Sequence, residues 1–455
     1  MTLREDLEKL TVGANPNPLA AVTLADAHYA LANNFRYVMD VAVPEPERAA
    51  LRDFAFEALR AWLPSIDQAA IDQLRPRFEG RGTPLDLDAR TRALVAANQR
   101  EYDAWLDHHA EVVPAELAAV IDRDPDDLAA YRILGDAMID RGYARGELIA
   151  AQLADPKLEG DLGPLVPYTV EPWQCTFTWR AGFLRSAALG IVDPSDYAAA
   201  GRVNELLDLL LRHPAARFLV ELSIGIIGYV GEADDLGEIA RTIGRAAPPT
   251  LRSLELGAFS FPRDADISAY KVGDVSAALV PQLRSLIVQG ADIELGSIDL
   301  PRLEHLEIKT GGLRAGAARS IAAAKLPKIE DLELWFGSPD YGNTTSLADL
   351  RSLFDRSIAS VALRNCPEAD ELCKRLLGTS LLAGARRLDL SLGTMTDLGA
   401  RTIADHRGQF AHLAELDLSD NYISAASLAA LQGLNVTATD QREEHEDHRY
   451  VSVGE

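Results

Sequence analysis

Two histidine clusters are the residues of this 455-residue chain whose types could bind a metal ion. His108 and His109 lie beside two carboxylates, and His445 and His448 lie within an acidic stretch. Imidazole and carboxylate groups are typical zinc ligands. Adjacent histidines point in different directions on a helix, however, and a flexible acidic segment loses conformational entropy when it orders around a metal. We therefore expect no metal at either cluster and predict no cofactor.

The three cysteines could act as nucleophiles or as metal ligands. Cys175, Cys366 and Cys373 are an odd number spread over a long chain, which fits neither a disulfide framework nor a four-ligand zinc site. Cys366 follows a strand-like pattern, and we expect it in the core. The sequence contains no phosphate-binding loop, nucleophile elbow, dinucleotide fingerprint or His-Glu-x-x-His string. These observations predict a protein that is not an enzyme.

A series of carboxylates in the second half of the chain could form a binding surface. They fill five of the eight positions at which two apolar residues enclose a single residue, namely Glu255, Glu307, Glu333, Asp389 and Asp417. Side chains alternate along a strand, so the enclosed residue faces solvent when its neighbours are buried. Like charges on adjacent strands destabilise a sheet unless basic groups meet them. This favours a surface that binds a basic or amphipathic protein, and solvated polar positions of an acidic protein are the open alternative.

Three further residues are expected on the same surface because each follows an enclosed position by two residues. They are Lys309, Trp335 and Arg364. Tryptophan is enriched among residues that anchor protein interfaces, which makes Trp335 the predicted anchor. The open alternative is that Trp335 packs against neighbouring strands. The predicted partner-binding residues are therefore Glu255, Glu307, Lys309, Glu333, Trp335, Arg364, Asp389 and Asp417.

The elements that must position these residues are written as a repeated pattern. The motif apolar-x-x-apolar-x-apolar occurs eight times between Leu219 and Leu418, at steps of 20 to 32 residues, and is clearest from Leu413 to Ile423. This is the signature of leucine-rich repeats. It predicts an α/β fold in which about eight repeats over residues 216–435 form a horseshoe-shaped solenoid, with strands on the concave side and Ala-rich helices on the convex side.

A module that precedes these repeats resembles a known family. Residues 113–153 contain the strings Asp124-Pro-Asp-Asp, Leu134-Gly-Asp and Arg145-Gly-Glu-Leu-Ile-Ala-Ala-Gln. They resemble the bacterial repeat-companion domain, a short helical module that precedes leucine-rich-type repeats in myxobacterial and planctomycete proteins. The segment Trp179-Arg-Ala-Gly-Phe also resembles the region that leads into the first repeat strand of such proteins. The first repeat of a solenoid has no predecessor to cover its core, so we expect residues 154–215 to form a cap leading into the first repeat.

The remaining segments and the charge complete the predicted organisation. Residues 1–112 are expected to form an all-α N-terminal domain, and residues 436–455 a polar, acidic and solvated tail. Acidic residues number 69 against 45 basic ones, which gives a formal net charge of −24. Such a charge disfavours nucleic acid or an anionic membrane as a partner. Without a signal-peptide pattern or a run of about 18 apolar residues, the sequence predicts cytoplasmic residence and no transmembrane helix.

Three functional hypotheses follow from this organisation. The first is a non-enzymatic scaffold that binds a protein on the concave face of the solenoid. The second is a repeat-targeted bacterial effector whose activity resides in residues 1–112. The third is an immunity or defence component that neutralises a basic protein. The sequence leaves the oligomeric state and the partner's identity open.

Overall fold

The fold is known from a computed structural model that describes residues 102–160, 162, 173–191, 203–227, 236–260, 263, 266–443 and 448–453. Most of the predicted N-terminal domain, residues 1–112, lies outside this described part. Residues 102–108 within it are helical.

In the part of the chain that the structure describes, eleven strands form one sheet, and their spatial order equals their order in the sequence. β1 and β2 are an antiparallel hairpin, and every later pairing, from β2 with β3 to β10 with β11, is parallel. The strands are β1 (Trp173–Arg180), β2 (Phe183–Ile191), β3 (Glu221–Ile224), β4 (Ser253–Leu256), β5 (Ser285–Gln289), β6 (His305–Lys309), β7 (Asp331–Trp335), β8 (Ser360–Arg364), β9 (Arg387–Asp389), β10 (Glu415–Asp417) and β11 (Val436–Thr437).

The register of the sheet follows the apolar motif. The middle apolar residue of each copy pairs with the middle residue of the next, and each is at most 1 % exposed. These residues are Leu222, Leu254, Leu286, Leu306, Leu332, Val361, Leu388 and Leu416. A shift by one residue would turn every one of these side chains to the opposite face, so burial fixes the register. The predicted α/β class is confirmed, and the sheet is open and mostly parallel.

Helices lie between many of the strands in sequence. They are α1 (Ala115–Arg123), α2 (Leu128–Ile139), α3 (Ala144–Ala154), α4 (Val203–Arg212), α5 (Gly237–Ala246), α6 (Ala315–Ala323), α7 (Ala369–Leu376), α8 (Ser380–Gly384), α9 (Asp397–Asp405) and α10 (Ala425–Ala429). The apolar residues of α4 to α9 pack with the strand leucines in one core that extends from Tyr102 to Leu431. Alanines such as Ala318 fill this layer because small side chains allow a helix to approach the sheet closely.

Buried polar side chains close the turns after the last strands. The Asn421 amide, which is fully buried, donates to the carbonyls of Leu390 and Leu418 at 3.0 Å and accepts the Met395 amide at 2.9 Å. Cys366 occupies the corresponding position after β8 and is 2 % exposed, as the sequence predicted. Backbone groups that the turn leaves unpaired are thereby satisfied.

Helices α1 to α3 form a small core of their own beside the hairpin. Asp127 begins α2 by accepting the amides of Ala129 and Ala130. Tyr131 of α2 contacts Phe183 and Phe218 at ring-centroid distances of 6.0 and 5.8 Å. This core, which also includes Ile149, therefore joins the helices to β2 and to the segment before β3.

Residues that carried the resemblance to the repeat-companion family meet at the hairpin turn. The Gln152 side chain accepts the Gly182 amide at 2.6 Å, and Arg145 donates to the Gly182 carbonyl at 2.6 Å. Asp126 pairs with Arg180 and, at 3.0 Å, with Arg185. These side chains hold the turn from both sides, so the motif has a structural role here.

The segment predicted to be a solvated tail is attached to the last strands in its described part. Val436 and Thr437 pair with β10 as β11. Arg442 donates to the carbonyl oxygens of Asp420 and Gly393, and residues 448–453 contact the turns after β8, β9 and β10. Polar composition did not prevent this packing because the contacts are hydrogen bonds to main-chain atoms. Within the described residues, no helix has the length and apolarity needed to span a bilayer.

Candidate functional site

The candidate site is the sheet surface opposite the buried leucines, which we name the strand face. It consists of the side chains of β2 to β10 that alternate with the buried positions, and it has three rows that run across the strands. The first row contains Ser186, Glu221, Ser253, Ser285, His305, Asp331, Ser360, Arg387 and Glu415. The central row contains Ala188, Ser223, Glu255, Ile287, Glu307, Glu333, Ala362, Asp389 and Asp417.

The third row follows the central one by two residues, and it includes Gln289, Lys309, Trp335, Arg364, Ser391 and Ser419. All eight predicted partner-binding residues therefore lie on two adjacent rows of one surface. Counted over β3 to β10, the three rows hold eight carboxylates against three lysine or arginine side chains. The strand face is acidic even when its own cations are included.

Glu307 is the centre of one group of charges on this face. Its carboxylate is 11 % exposed, pairs with Lys309 of the same strand, and lies 3.4 Å from Nε2 of His305. Nδ1 of His305 lies 3.2 Å from a carboxylate oxygen of Asp331 on the neighbouring strand. A histidine is thus held between two carboxylates from adjacent strands.

The pKa values of this group reflect these contacts. The hydrogen bond with Glu307 raises the pKa of His305; burial opposes the rise, and Asp331 adds to it. Burial alone would raise the pKa of Glu307, but hydrogen bonds from His305 and Lys309 outweigh burial and lower it below its usual value. Both shifts favour the charged pair.

Trp335 lies beneath two cations. The residue is 9 % exposed, and its indole nitrogen donates to a Glu333 carboxylate oxygen at 2.5 Å. The Arg364 guanidinium carbon is 5.6 Å from the ring centroid and the Lys309 amine is 6.0 Å from it. Trp335 therefore packs against side chains of neighbouring strands, which is the alternative that the sequence left open, and little of the ring is available to a partner.

Arg364 bridges carboxylates of two strands. It donates from Nη1 to Glu333 at 3.2 Å, and its Nε lies 3.2 Å from an Asp389 carboxylate oxygen. Burial raises the pKa of Asp389, and the charge of Arg364 opposes that rise. Three of the five predicted central carboxylates, Glu307, Glu333 and Asp389, are thus paired within the face instead of forming an uncompensated ladder.

The remaining carboxylates provide the unneutralised charge. Glu255 accepts a hydrogen bond from the Ser223 hydroxyl at 2.9 Å, and Asp417 accepts the Ser419 amide at 2.8 Å. Among the residues that the structure describes, no lysine or arginine pairs with either of them. Glu415 has a side chain that is 54 % exposed and lies 3.9 Å from Arg387. The carboxylates of the central row that have no lysine or arginine partner within the described residues therefore lie on β4 and β10.

Sequence reasoning missed two residues of the charged group around Glu307. His305 and Asp331 begin β6 and β7, two residues before Glu307 and Glu333. Alternation along the strand places residues two apart on the same face, so this signal was present in the sequence. The contacts that these side chains make between strands could not be read from the sequence, because they depend on side-chain rotamers.

The histidines and cysteines that the sequence offered for metal binding or nucleophilic chemistry are packed against other side chains where the structure describes them. His109 stacks on Trp105 with ring centroids 4.3 Å apart and contacts the Trp105 carbonyl through Nδ1 at 2.8 Å. His445 lies outside the described residues, and within them no group of three histidine, cysteine or acidic side chains is arranged to hold a metal. Burial raises the pKa of both Cys175 and Cys366 to about 12, which leaves these thiols protonated and unreactive at neutral pH.

The comparisons with known proteins concern the fold alone. No protein-family model and no curated protein matches the chain. Among the solved structures that match is a Bacteroides fragilis protein determined by a structural genomics consortium. It is 24 % identical, with a TM-score of 0.51, and the match covers 71 % of this chain and 87 % of that one. This likeness shows that a similar α/β architecture occurs elsewhere, and nothing in the described residues positively indicates an enzyme.

Proposed function

We propose that this chain is a leucine-rich-repeat protein of the bacterial repeat-companion type and that it acts as a non-enzymatic scaffold. In this proposal the strand face is the concave surface of a horseshoe and binds a protein partner. The observation that supports it best is the register of the sheet, which lines up side chains of nine consecutive strands into three rows. A broad surface of fixed side chains suits a protein better than a small molecule.

The charge of the strand face supports a basic partner. Eight carboxylates stand against three lysine or arginine side chains on its rows, and the whole chain carries a net charge of −24. Complementary potentials speed association and exclude partners of the same charge. Glu255, Glu415 and Asp417 are the groups that basic side chains of the partner would meet first, since Arg364 and Lys309 already occupy the carboxylates between them.

The paired centre of the face contributes order instead of charge. Arg364 contacts Glu333, Asp389 and Ser391, while Trp335 packs beneath it. Side chains that already hold one geometry lose little conformational freedom when a partner binds. The centre is therefore proposed as a rigid platform, and the outer carboxylates are proposed to supply the attraction.

A charge-reversal experiment tests this function. In the variant Glu255→Lys/Glu415→Lys, both substitutions fall on the strand face, and neither disrupts the contacts around Arg364. In affinity capture from an extract of the source organism at low salt, we expect this variant to recover at least about tenfold less of a specific partner than the wild-type chain does. A tenfold change in affinity corresponds to about 1.4 kcal/mol. The loss should be smaller at high salt because screening weakens the wild-type interaction.

The matched control is Glu116→Lys/Asp405→Lys, which changes the net charge by the same amount at exposed carboxylates on α1 and α9. This control should capture the partner as the wild-type chain does. Equal loss from both double variants would mean that net charge matters and the strand face does not. Undiminished capture by the Glu255→Lys/Glu415→Lys variant would refute the proposed binding surface.

A further inference from the structure

The segment of residues 448–453, which we name the strap, crosses the carboxyl ends of three strands. Tyr450 contacts Tyr422 after β10, and the Ser452 amide donates to the Leu392 carbonyl after β9 at 2.9 Å. The Val453 amide donates to Oδ1 of Asn365 after β8 at 3.0 Å, and Nδ2 of Asn365 donates to the Val453 carbonyl. The strap therefore runs back from the last strands toward earlier ones.

The strap is held through its main chain. The Tyr422 hydroxyl bonds both the amide and the carbonyl of Tyr450 at 3.0 Å, and Arg442 donates to the same carbonyl at 2.8 Å. Tyr450, in contrast, is 59 % exposed as a residue, and Ser452 is also exposed. Hydrogen bonds to main-chain atoms place no demand on the sequence of the bound segment. An extended segment of different sequence could make the same contacts.

We name the surface under the strap, which is formed by Asn365, Leu392, Tyr422 and Arg442, the groove. Asn365 is the clearest sign that the groove accepts a peptide unit. Its residue is fully buried, and its side-chain amide pairs with both the N–H and the C=O of Val453. Asn421, by comparison, satisfies its amide within its own turn, through Leu390, Leu418 and Met395. The amide of Asn365 depends on the strap instead, and a buried amide that loses both partners is unfavourable.

Backbone conformation prepares the groove as well. Asn365 and Leu392 have φ values of 59° and 64°, in the left-handed region that a leucine rarely adopts. The carbonyl of Leu392 accepts the strap from that conformation. Asn365 directly follows Arg364, and Leu392 directly follows Ser391, so the groove adjoins the strand face.

We propose that the groove lined by Asn365, Leu392, Tyr422 and Arg442 is a binding site for an extended segment of a partner protein, read through its main chain. The strap occupies this site in the same chain and is displaced when the partner segment enters. The site goes beyond the proposed function of the strand face, because it selects extended backbone and not charge. A partner that lies on the strand face could enter the groove with one extended end.

A peptide-binding experiment on the full chain tests the proposal. In the variant Ser452→Pro/Val453→Pro, the strap lacks the two N–H groups that bind Leu392 and Asn365. The probe is a fluorescent, terminally blocked peptide with the strap sequence His-Arg-Tyr-Val-Ser-Val, followed by anisotropy. We expect it to bind this variant at least about tenfold more tightly than it binds the wild-type chain, in which the tethered strap competes at high effective concentration.

Two matched variants assign the site. Ser452→Ala/Val453→Ala keeps both N–H groups and should exclude the peptide as the wild-type chain does. Adding Asn365→Ala to the proline variant should abolish peptide binding. Peptide affinity that is equal for the wild-type and proline variants, absent in both, or insensitive to Asn365→Ala would overturn the proposal.

Hydrogen exchange of the wild-type chain provides a measurement that does not depend on variants folding. A displaceable strap opens locally, so the amides of Ser452 and Val453 should exchange much faster than the amide of Leu390, a buried residue directly after β9 whose N–H donates to the Asp417 carbonyl at 2.8 Å. Exchange of Ser452 and Val453 only at the rate of global unfolding would identify the strap as a fixed part of the fold and would contradict the proposal.

Discussion

The carboxylates of the strand face have two different roles, which the sequence alone does not distinguish. Glu307, Glu333 and Asp389 are carboxylates at solvent-facing positions, yet each is paired with a cation from the same or a neighbouring strand. Partial burial makes such pairs worth more than exposed surface pairs, and it also makes the loss of one partner costly. The residues that stabilise the face therefore differ from those that remain free to bind.

Arg364 provides a test of this pairing. The variant Arg364→Met keeps the aliphatic stem over Trp335 and leaves Glu333 and Asp389 without their shared cation, so we expect a loss of about 1 to 3 kcal/mol of unfolding free energy near pH 7. Burial already raises the pKa of Asp389, and losing Arg364 raises it further. Protonation relieves the uncompensated charge, so the loss should shrink as the pH falls.

Urea denaturation at several pH values measures this dependence. The control Lys374→Met removes an exposed cation that pairs with Glu371 one turn away on α7, and it should cost no more than about 0.5 kcal/mol. A loss for Arg364→Met that is equally small, or that does not vary with pH, would contradict the pairing described for the face.

His305 gives a prediction in a different pH range. Its pKa is raised in the folded protein, chiefly by Glu307, so its contribution to stability is fully present below the unfolded value of about 6.5 and is lost as the pH rises through the folded value. The pKa of Glu307 is lowered, so its contribution is present above about 4.5 and is lost only in more acidic solution. The group is therefore most favourable between these limits.

The difference in unfolding free energy between the wild-type chain and His305→Gln should be larger at pH 6 than at pH 8.5. Chemical denaturation at the two pH values measures it. In a Glu307→Gln background the same difference should depend less on pH, because the main cause of the shift is gone. A difference that grows toward high pH would contradict the pairing of His305 with Glu307.

Among the elements, α2 and α3 show how glycine sets a helix crossing. A Cβ atom on Gly146 would lie 2.6 Å from the Ile139 amide nitrogen and 2.7 Å from the Gly135 carbonyl oxygen. Both neighbours are backbone atoms, so the helices would have to separate. The crossing also carries Arg145 and Gln152 to the hairpin turn, and its geometry therefore affects the first strands of the sheet.

The variant Gly146→Ala should lower the unfolding free energy by about 1 to 3 kcal/mol through overpacking. The control Gly316→Ala lies within α6, where an added Cβ atom would meet nothing within 4 Å. That substitution should stabilise the protein by about 0.5 to 1 kcal/mol, because alanine loses less backbone entropy than glycine. Thermal or urea denaturation compares them, and a neutral Gly146→Ala would contradict the close crossing.

For the whole molecule, periodicity predicted the sheet because burial repeats with it. The eight apolar motifs matched β3 to β10 in register, and helices α6 and α9 consist of Ala-rich segments between the motifs. Alternation also placed the eight candidate residues on one face. These properties depend on which side chains are apolar and on their spacing, and both can be read directly from a sequence.

Contacts between polar groups were not predictable in the same way. The bridging role of Arg364 and the covering of Trp335 depend on rotamers and on neighbours that are about 30 residues apart in sequence. The strap was expected to remain solvated because its composition is polar. Its bonds to Asn365 and Leu392 use main-chain atoms, which composition does not report. The sequence thus predicted which residues share the strand face, and it missed how they pair and where the strap binds.

Carboxylate footprinting of the chain with and without its captured partner tests most directly whether the strand face is the binding surface. Carbodiimide labelling read by mass spectrometry reports the accessibility of each acidic side chain. We predict that labelling of Glu255, Glu415 and Asp417 falls in the complex, while Glu116 and Asp405, which lie away from the strand face, label as before. Unchanged labelling at the first three, with protection of Glu116 or Asp405, would contradict binding through the strand face.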